Sequence, residues 1–228
     1  MPGRSRPRAD AARNRDKLVA AGAAVFGRRG LDAPLDEVAR RAGVSIGTLY
    51  NHFPTRQDLF DAIFPERLAA LERVAESAKA AADPWDGFVL FIEGLFAMQA
   101  EDRGLNDVLV RRFPTASGVG EACHRGAGYA AEVIDRAKRS GRLRGDFELQ
   151  DLVTLMWAMS QVIRESVDAA PDAWRRCLAF YLDGLRAEAA HPLPVQALTR
   201  EQVASVGLPL GQQGRDGGKV GLGEDADS

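Results

Sequence analysis

The chain has 228 residues, 46% of them apolar and 27% charged, with two cysteines; this is a globular balance and excludes collagen-like, wholly disordered and disulfide-scaffold classes. No apolar run is long enough to cross a bilayer, and neither the cysteines (Cys123, Cys177) nor the three histidines (His52, His124, His191) have metal-ligand spacing. The net charge of −2 hides an asymmetry, because residues 1–56 hold 11 Lys and Arg against 5 Asp and Glu while the remainder is acidic, which suits either a polyanion partner for the head or a plain solvated face.

Residues 1–10 are rich in Arg and Pro and read as an unstructured basic arm, either solvated or following a minor groove. Arg4, Arg6 and Arg8 ahead of Leu18–Phe26 imitate a leader peptide. That stretch is amphipathic, flanked by charges and without a small-residue cleavage site, so a cytoplasmic location with reduced thiols is expected. Leu18, Ala21, Gly22, Val25 and Phe26 form one helical stripe, stopped by Gly30. Leu35, Val38, Ala39 and Ala42 repeat the spacing over a short second helix, with Pro34 at its first position and Gly43 after it. Ile46, Leu49, Tyr50 and Phe53 repeat it again between the cap Ser45 and the stop Pro54.

Thr55 caps a fourth helix with Asp58 as reciprocal partner, running through Leu71 and kinked or broken near Pro65. Asp83-Pro84 opens a central helix, apolar on more than one face, closed at Arg103-Gly104. Residues 114–120 read as a loop, Ala122–Ser140 and Phe147–Val167 as helices, and Asp172–Ala190 as the last helix. Residues 191–228 read as a mostly disordered tail with one turn of helix at Thr199–Val206. Strand alternation is lacking, so the fold class is all-α, a small N-terminal helical unit followed by a larger helical body.

Two short helices joined by Ala42-Gly43-Val44-Ser45 have helix-turn-helix geometry. Leu49 and Phe53 face inward. Gly47, Thr48, Asn51 and His52 then face outward, with Tyr50 at the same edge. Short donors and acceptors with a glycine among them suit a helix that enters a DNA groove. From Ala39 to Leu59 the run AxxAGVSIGTLYNHFPTRQDL resembles the N-terminal DNA-binding domain of TetR-family transcriptional regulators. The resemblance implies a homodimer of nine or ten helices per subunit. Residues 11–56 would bind a double-stranded DNA operator, and residues 57–190 would bind a small-molecule effector and dimerise. No cofactor, metal or membrane partner is implied, and no enzymatic activity.

Carried over by position, Ser45, Thr48, Tyr50 and His52 would contact phosphates or bases. Gly47 would allow close approach, Asn51 would read a base, and Arg56 would hold a phosphate. Ala33-Pro34 stand where the family has threonines, which removes a hydroxyl cap. DPWDGF, EDRGL and WRRCLAFYLDGLR are similar to the SbtR-like group of C-terminal domains. Phe88, Phe91 and Ile92 on one helix, Trp157 and Gln161 on another, and His124 read either as effector-pocket lining or as core and surface. Gly43–Gly47 matches G-x-S-x-G and Gly126–Ala131 matches GxGxxA, but both lack the strand those motifs require, and the latter reads as a helix start. The expected function is a ligand-released repressor binding a palindromic operator as a dimer. The alternatives are a sequestering protein with a non-functional helix-turn-helix, and an activator.

Overall fold

The structure, a computed structural model, describes residues 6–114 and 116–206. Helix α1 (Arg6–Arg29) already includes residues expected to lie in an unstructured arm. Pro7 permits this, because the first turn of a helix has no use for its missing N–H; residues 1–5 lie outside the described residues. α2 (Leu35–Ala42) starts one residue later than expected. Pro34 is its extended N-cap, without a side-chain cap bond, and Asp36 and Glu37 in the first turn face the positive end of the helix dipole. Gly43 closes α2 at φ 71°, a conformation that favours glycine. α3 (Ile46–His52) follows, and the capping box of Thr55 and Asp58 opens α4 (Arg56–Leu68).

Pro65 does not break α4 where it stands. It removes the N–H that would bond to the Asp61 carbonyl and weakens the last turn. The helix gives way at Ala69, whose N–H donates to Pro65 O at 3.0 Å, and a separate α5 (Ala70–Ala80) begins. The Asp83 carboxylate caps α6 (Pro84–Glu101), accepting from Trp85 N at 2.7 Å. Asp102 caps α7 (Arg103–Val110). Ser117 caps α8 (Gly118–Arg139), so part of the expected 114–120 loop is helix and Gly126–Ala131 sits in mid-helix rather than at a start. A reciprocal Glu148–Asp151 cap delays α9 (Leu149–Ser166) by two residues and frees Phe147 for the core, edge-on to Phe88 with ring centroids 5.9 Å apart.

α10 (Ala173–Leu185) ends before the expected Ala190. There the chain is captured by the α8–α9 loop: Arg144 N donates to Leu185 O at 3.0 Å and Ala187 N to Arg142 O at 2.9 Å. A 3-10 turn (Ala187–Ala189) and α11 (Arg200–Val206) follow; the rest of the expected tail, 207–228, lies outside the described residues. Among the described residues there is no strand, only an isolated bridge between Leu143 and Arg186.

Two apolar cores result. The first joins α1–α4, with Phe26 edge-on to Phe60 at 5.3 Å, and is completed by Leu105 and Val108 of α7 and Val119 and Ala122 of α8. The second is centred on α6 and built from α5–α10. The boundary expected between residues 56 and 57 therefore falls inside one core, since α4 buries Leu59, Phe60, Ile63, Phe64 and Leu68 in the first. A three-helix unit of that size has little core of its own, and α4, α7 and α8 complete it.

Candidate nucleic-acid interface and ligand cavity

α3 is amphipathic over seven residues. Leu49 and Phe53 are fully buried and fix its roll. Ser45, Gly47, Tyr50 and Asn51 are then exposed, Tyr50 by 48%, with Thr48 and His52 half-buried at the margins. Ser45 Oγ accepts from Thr48 N at 3.1 Å and lies 2.9 Å from Thr48 Oγ1. Two hydroxyls so joined retain lone pairs and one donor for an outside partner. A Cβ built on Gly47 would come no nearer than 3.9 Å to any side chain, that of Ser45. Nothing within the fold requires a glycine there.

Arg56 departs from the expected phosphate contact. Its Nη1 donates to Leu31 O at 2.5 Å and Ala33 O at 3.0 Å. Burial pulls its pKa below the ordinary value against the opposing charge of Asp32. The two loop carbonyls thereby gain a side-chain donor. Sequence reasoning passed over three other cations. Arg15 lies over the Phe53 ring, 5.3 Å from its centroid, at the foot of α3. Lys17 and Arg41 border a shallow notch between α1 and α2. Among the described residues no carboxylate pairs with Arg15, Lys17, Arg40 or Arg41. The signal was present in the basic head, whose charges had not been assigned individually.

The loop between α1 and α2 is also held from the other side. Gly30, at φ 78°, leaves room for Asp107 of α7, whose Oδ2 would lie 2.4 Å from a Cβ. The buried Asp107 carboxylate accepts from Leu31 N at 2.8 Å and from Arg164 Nη2 at 2.6 Å. One turn on, Arg111 grips both oxygens of Asp32 at 2.8 and 2.5 Å and lies 3.7 Å from Asp107. That grip draws the Asp32 carboxyl below its ordinary pKa of 3.8.

Behind α7 lies a cavity of about 220 Å³, walled by Leu68, Phe91, Leu95, Val108, Leu152 and Met156 among others. Arg111 and Cys123 are its polar borders, and burial raises the Cys123 thiol to about 11. A separate groove of about 400 Å³ runs between α9 and α10, beside the exposed Phe180 and Tyr181.

Residues 18–63 match the model of bacterial regulatory proteins of the tetR family, and residues 83–187 match that of the SbtR-like transcriptional regulator C-terminal domain. The chain belongs to the TetR family. It is a transcriptional regulator with a DNA-binding helix-turn-helix. It is 26% identical over 149 residues to the HTH-type transcriptional regulator SrpR of Pseudomonas putida, spanning 62% of this chain and 69% of that one. Its fold is that of FadR from Bacillus subtilis, in complex with stearoyl-CoA (TM-score 0.56, 18% identity, 77% of this chain and 99% of that one). It is also that of RolR in complex with resorcinol (TM-score 0.53, 20% identity, 82% and 98%). Among the described residues of this TetR-family chain, no helix is long and apolar enough to cross a membrane.

The TetR-type DNA-binding residues expected from sequence do share one surface, Arg56 excepted. The expected effector residues do not converge. Phe91 alone lines the cavity. Phe88 and Ile92 are sealed in the second core, and His124 is exposed beside the lining Cys123. Trp157 is half-buried away from the cavity, and the exposed Gln161 donates to Glu165. Stripes of aromatics mark where a helix is buried, whereas a cavity forms where six helices fail to fill the space between them.

Proposed function

We propose that the protein is a dimeric repressor that holds a palindromic operator and releases it when a small molecule occupies the cavity behind α7. The observation that carries the reading is the outward face of α3, where Gly47 serves nothing inside the molecule while Tyr50 and Asn51 stand exposed beside it. In this reading Ser45, Thr48, Tyr50 and His52 meet phosphates or bases and Asn51 reads a base edge. Lys17 and Arg41 neutralise phosphates, and Arg56 positions the loop instead.

The α9–α10 face supports dimerisation, because it leaves Phe180 and Tyr181 in water at 65% and 44% exposure. Two recognition helices related by a two-fold axis suit half-sites about 34–36 Å apart, or a multiple of that. The fold accommodates small ligands elsewhere, as resorcinol in RolR and stearoyl-CoA in FadR. The effector must favour the non-binding state by about 5.5 kcal/mol to move the population from 99:1 to 1:99. Selection of bound duplexes from a random pool tests the reading. A palindromic consensus with half-sites at that spacing is the expected result; an asymmetric consensus, or no enrichment, overturns it.

A further inference from the structure

We propose that the cavity behind α7 takes an uncharged, compact apolar molecule of about the bulk of a two-ring aromatic hydrocarbon, and that its seating is transmitted to the DNA-binding unit through Asp107 and Arg111. The inference rests on reading this cavity as the effector site and names the chemistry of what enters it.

Volume sets the size. A cavity of about 150 Å³ lined by Leu, Ile and Phe holds benzene, and this one is about 220 Å³. Lining sets the polarity. The walls are Leu, Phe, Val, Ala, Met and one glycine, Gly126, apart from Arg111 and Cys123. The Arg111 guanidinium already donates from Nη1 and Nη2 to Asp32 and lies 3.7 Å from Asp107, so both of its terminal nitrogens are engaged before an anion arrives. The Cys123 thiol stays neutral because burial raises its pKa to about 11. The buried polar atoms that lack partners among the described residues belong to Gln57, Gln99 and Asn106, none of which borders the cavity. A charged or heavily hydroxylated guest would lose its hydration and find no replacement.

The coupling follows from the shortness of α7. Val108 and Leu109 line the cavity, while Asp107 and Arg111, one turn apart, hold the α1–α2 loop, Arg111 doing so from the cavity's border. A guest that shifts those two apolar side chains shifts the two charged ones with them. The loop they hold leads directly into α2 and α3, so the guest biases the recognition helix without touching it.

The test uses the full chain, naphthalene and 2-naphthoate as probes, and a duplex selected from a random pool. Calorimetry should show naphthalene binding roughly 100-fold or more tightly than 2-naphthoate. Ala127→Leu, and independently Val153→Phe from another wall, should weaken naphthalene binding at least tenfold while the unliganded chain still melts cooperatively. Naphthalene should release the selected duplex from the wild type. In Asp32→Ala it should bind equally well but release poorly. Equal or tighter binding of 2-naphthoate overturns the ligand class, as does no binding of naphthalene. Binding without release from the wild type overturns the coupling. If no duplex is enriched, the regulator reading falls, and the ligand class is judged by calorimetry alone.

Discussion

Gly47 sets stability against function within one residue. Glycine inside a helix is about 0.5–1 kcal/mol less favourable than alanine, and a Cβ here meets only the Ser45 hydroxyl at 3.9 Å. Gly47→Ala should therefore raise Tm, by about 1–4 °C for a chain of this size. It should lower operator affinity roughly tenfold, because the added methyl stands between α3 and the base edges. Differential scanning calorimetry and fluorescence anisotropy measure the two, and a higher Tm with unchanged affinity removes Gly47 from the interface. Arg56 and Arg41 separate in another way. Arg56→Ala strands the Leu31 and Ala33 carbonyls, a loss of about 1–3 kcal/mol in urea unfolding, and leaves the salt dependence of DNA binding unchanged. Arg41→Ala should leave stability intact and reduce the slope of log K against log salt by about 0.9. The outward face of α3 was legible in the sequence because helical period and two buried anchors fix it locally. The turning of Arg56 inward was not, since its acceptors are backbone atoms more than twenty residues away.

Three of the side-chain-capped helix starts were legible too, though those at Asp102 and Ser117 were not. Ser45, Thr55 and Asp83 each bond to the first turn that follows them, and those starts need no tertiary information. The break at Ala69 carries no such mark, and α7 matters for what lies on either side of it. Its grip on the α1–α2 loop makes a pH prediction. Asp32 is held below its ordinary pKa chiefly by the Arg111 hydrogen bond, with the Arg111 charge adding to it against a desolvation cost. The folded state thus favours the carboxylate. The stabilisation is complete above the unfolded pKa near 3.8 and is lost as pH falls through the lower folded value. Asp32→Asn should accordingly melt lower than the wild type by a constant margin above about pH 5. The two melting curves should converge below about pH 4. The Asp32 side chain is 75% exposed, so the margin is small. A margin that does not shrink at all between about pH 5 and about pH 3 would show that the pair acts through shape rather than charge.

At the scale of the whole molecule, the shared core and the exposed α9–α10 face carry different duties. Leu105, Val108, Val119 and Ala122 close the first core with side chains of α7 and α8, so the DNA-binding unit is oriented by the body instead of hanging from a linker. The α9–α10 face has no such closure within one subunit. Phe180 stands 65% exposed with the Arg176 guanidinium over its ring, at 5.2 Å. In a two-fold seam each residue occurs twice, so one substitution acts on both subunits. With the proposed dimer seam on this face, Phe180→Glu places two like charges in it and should leave the chain monomeric at micromolar concentration in sedimentation. Because Phe180 packs little within its own subunit, the monomer should remain helical by circular dichroism. Its Tm should no longer rise with protein concentration, since the mass-action contribution of the partner is gone. Operator affinity should fall at least roughly 100-fold, because each monomer then holds one half-site and the second contact is no longer intramolecular. A Phe180→Glu chain that sediments as a dimer and still holds its operator would place the seam on another face and return these two aromatics to the ordinary surface.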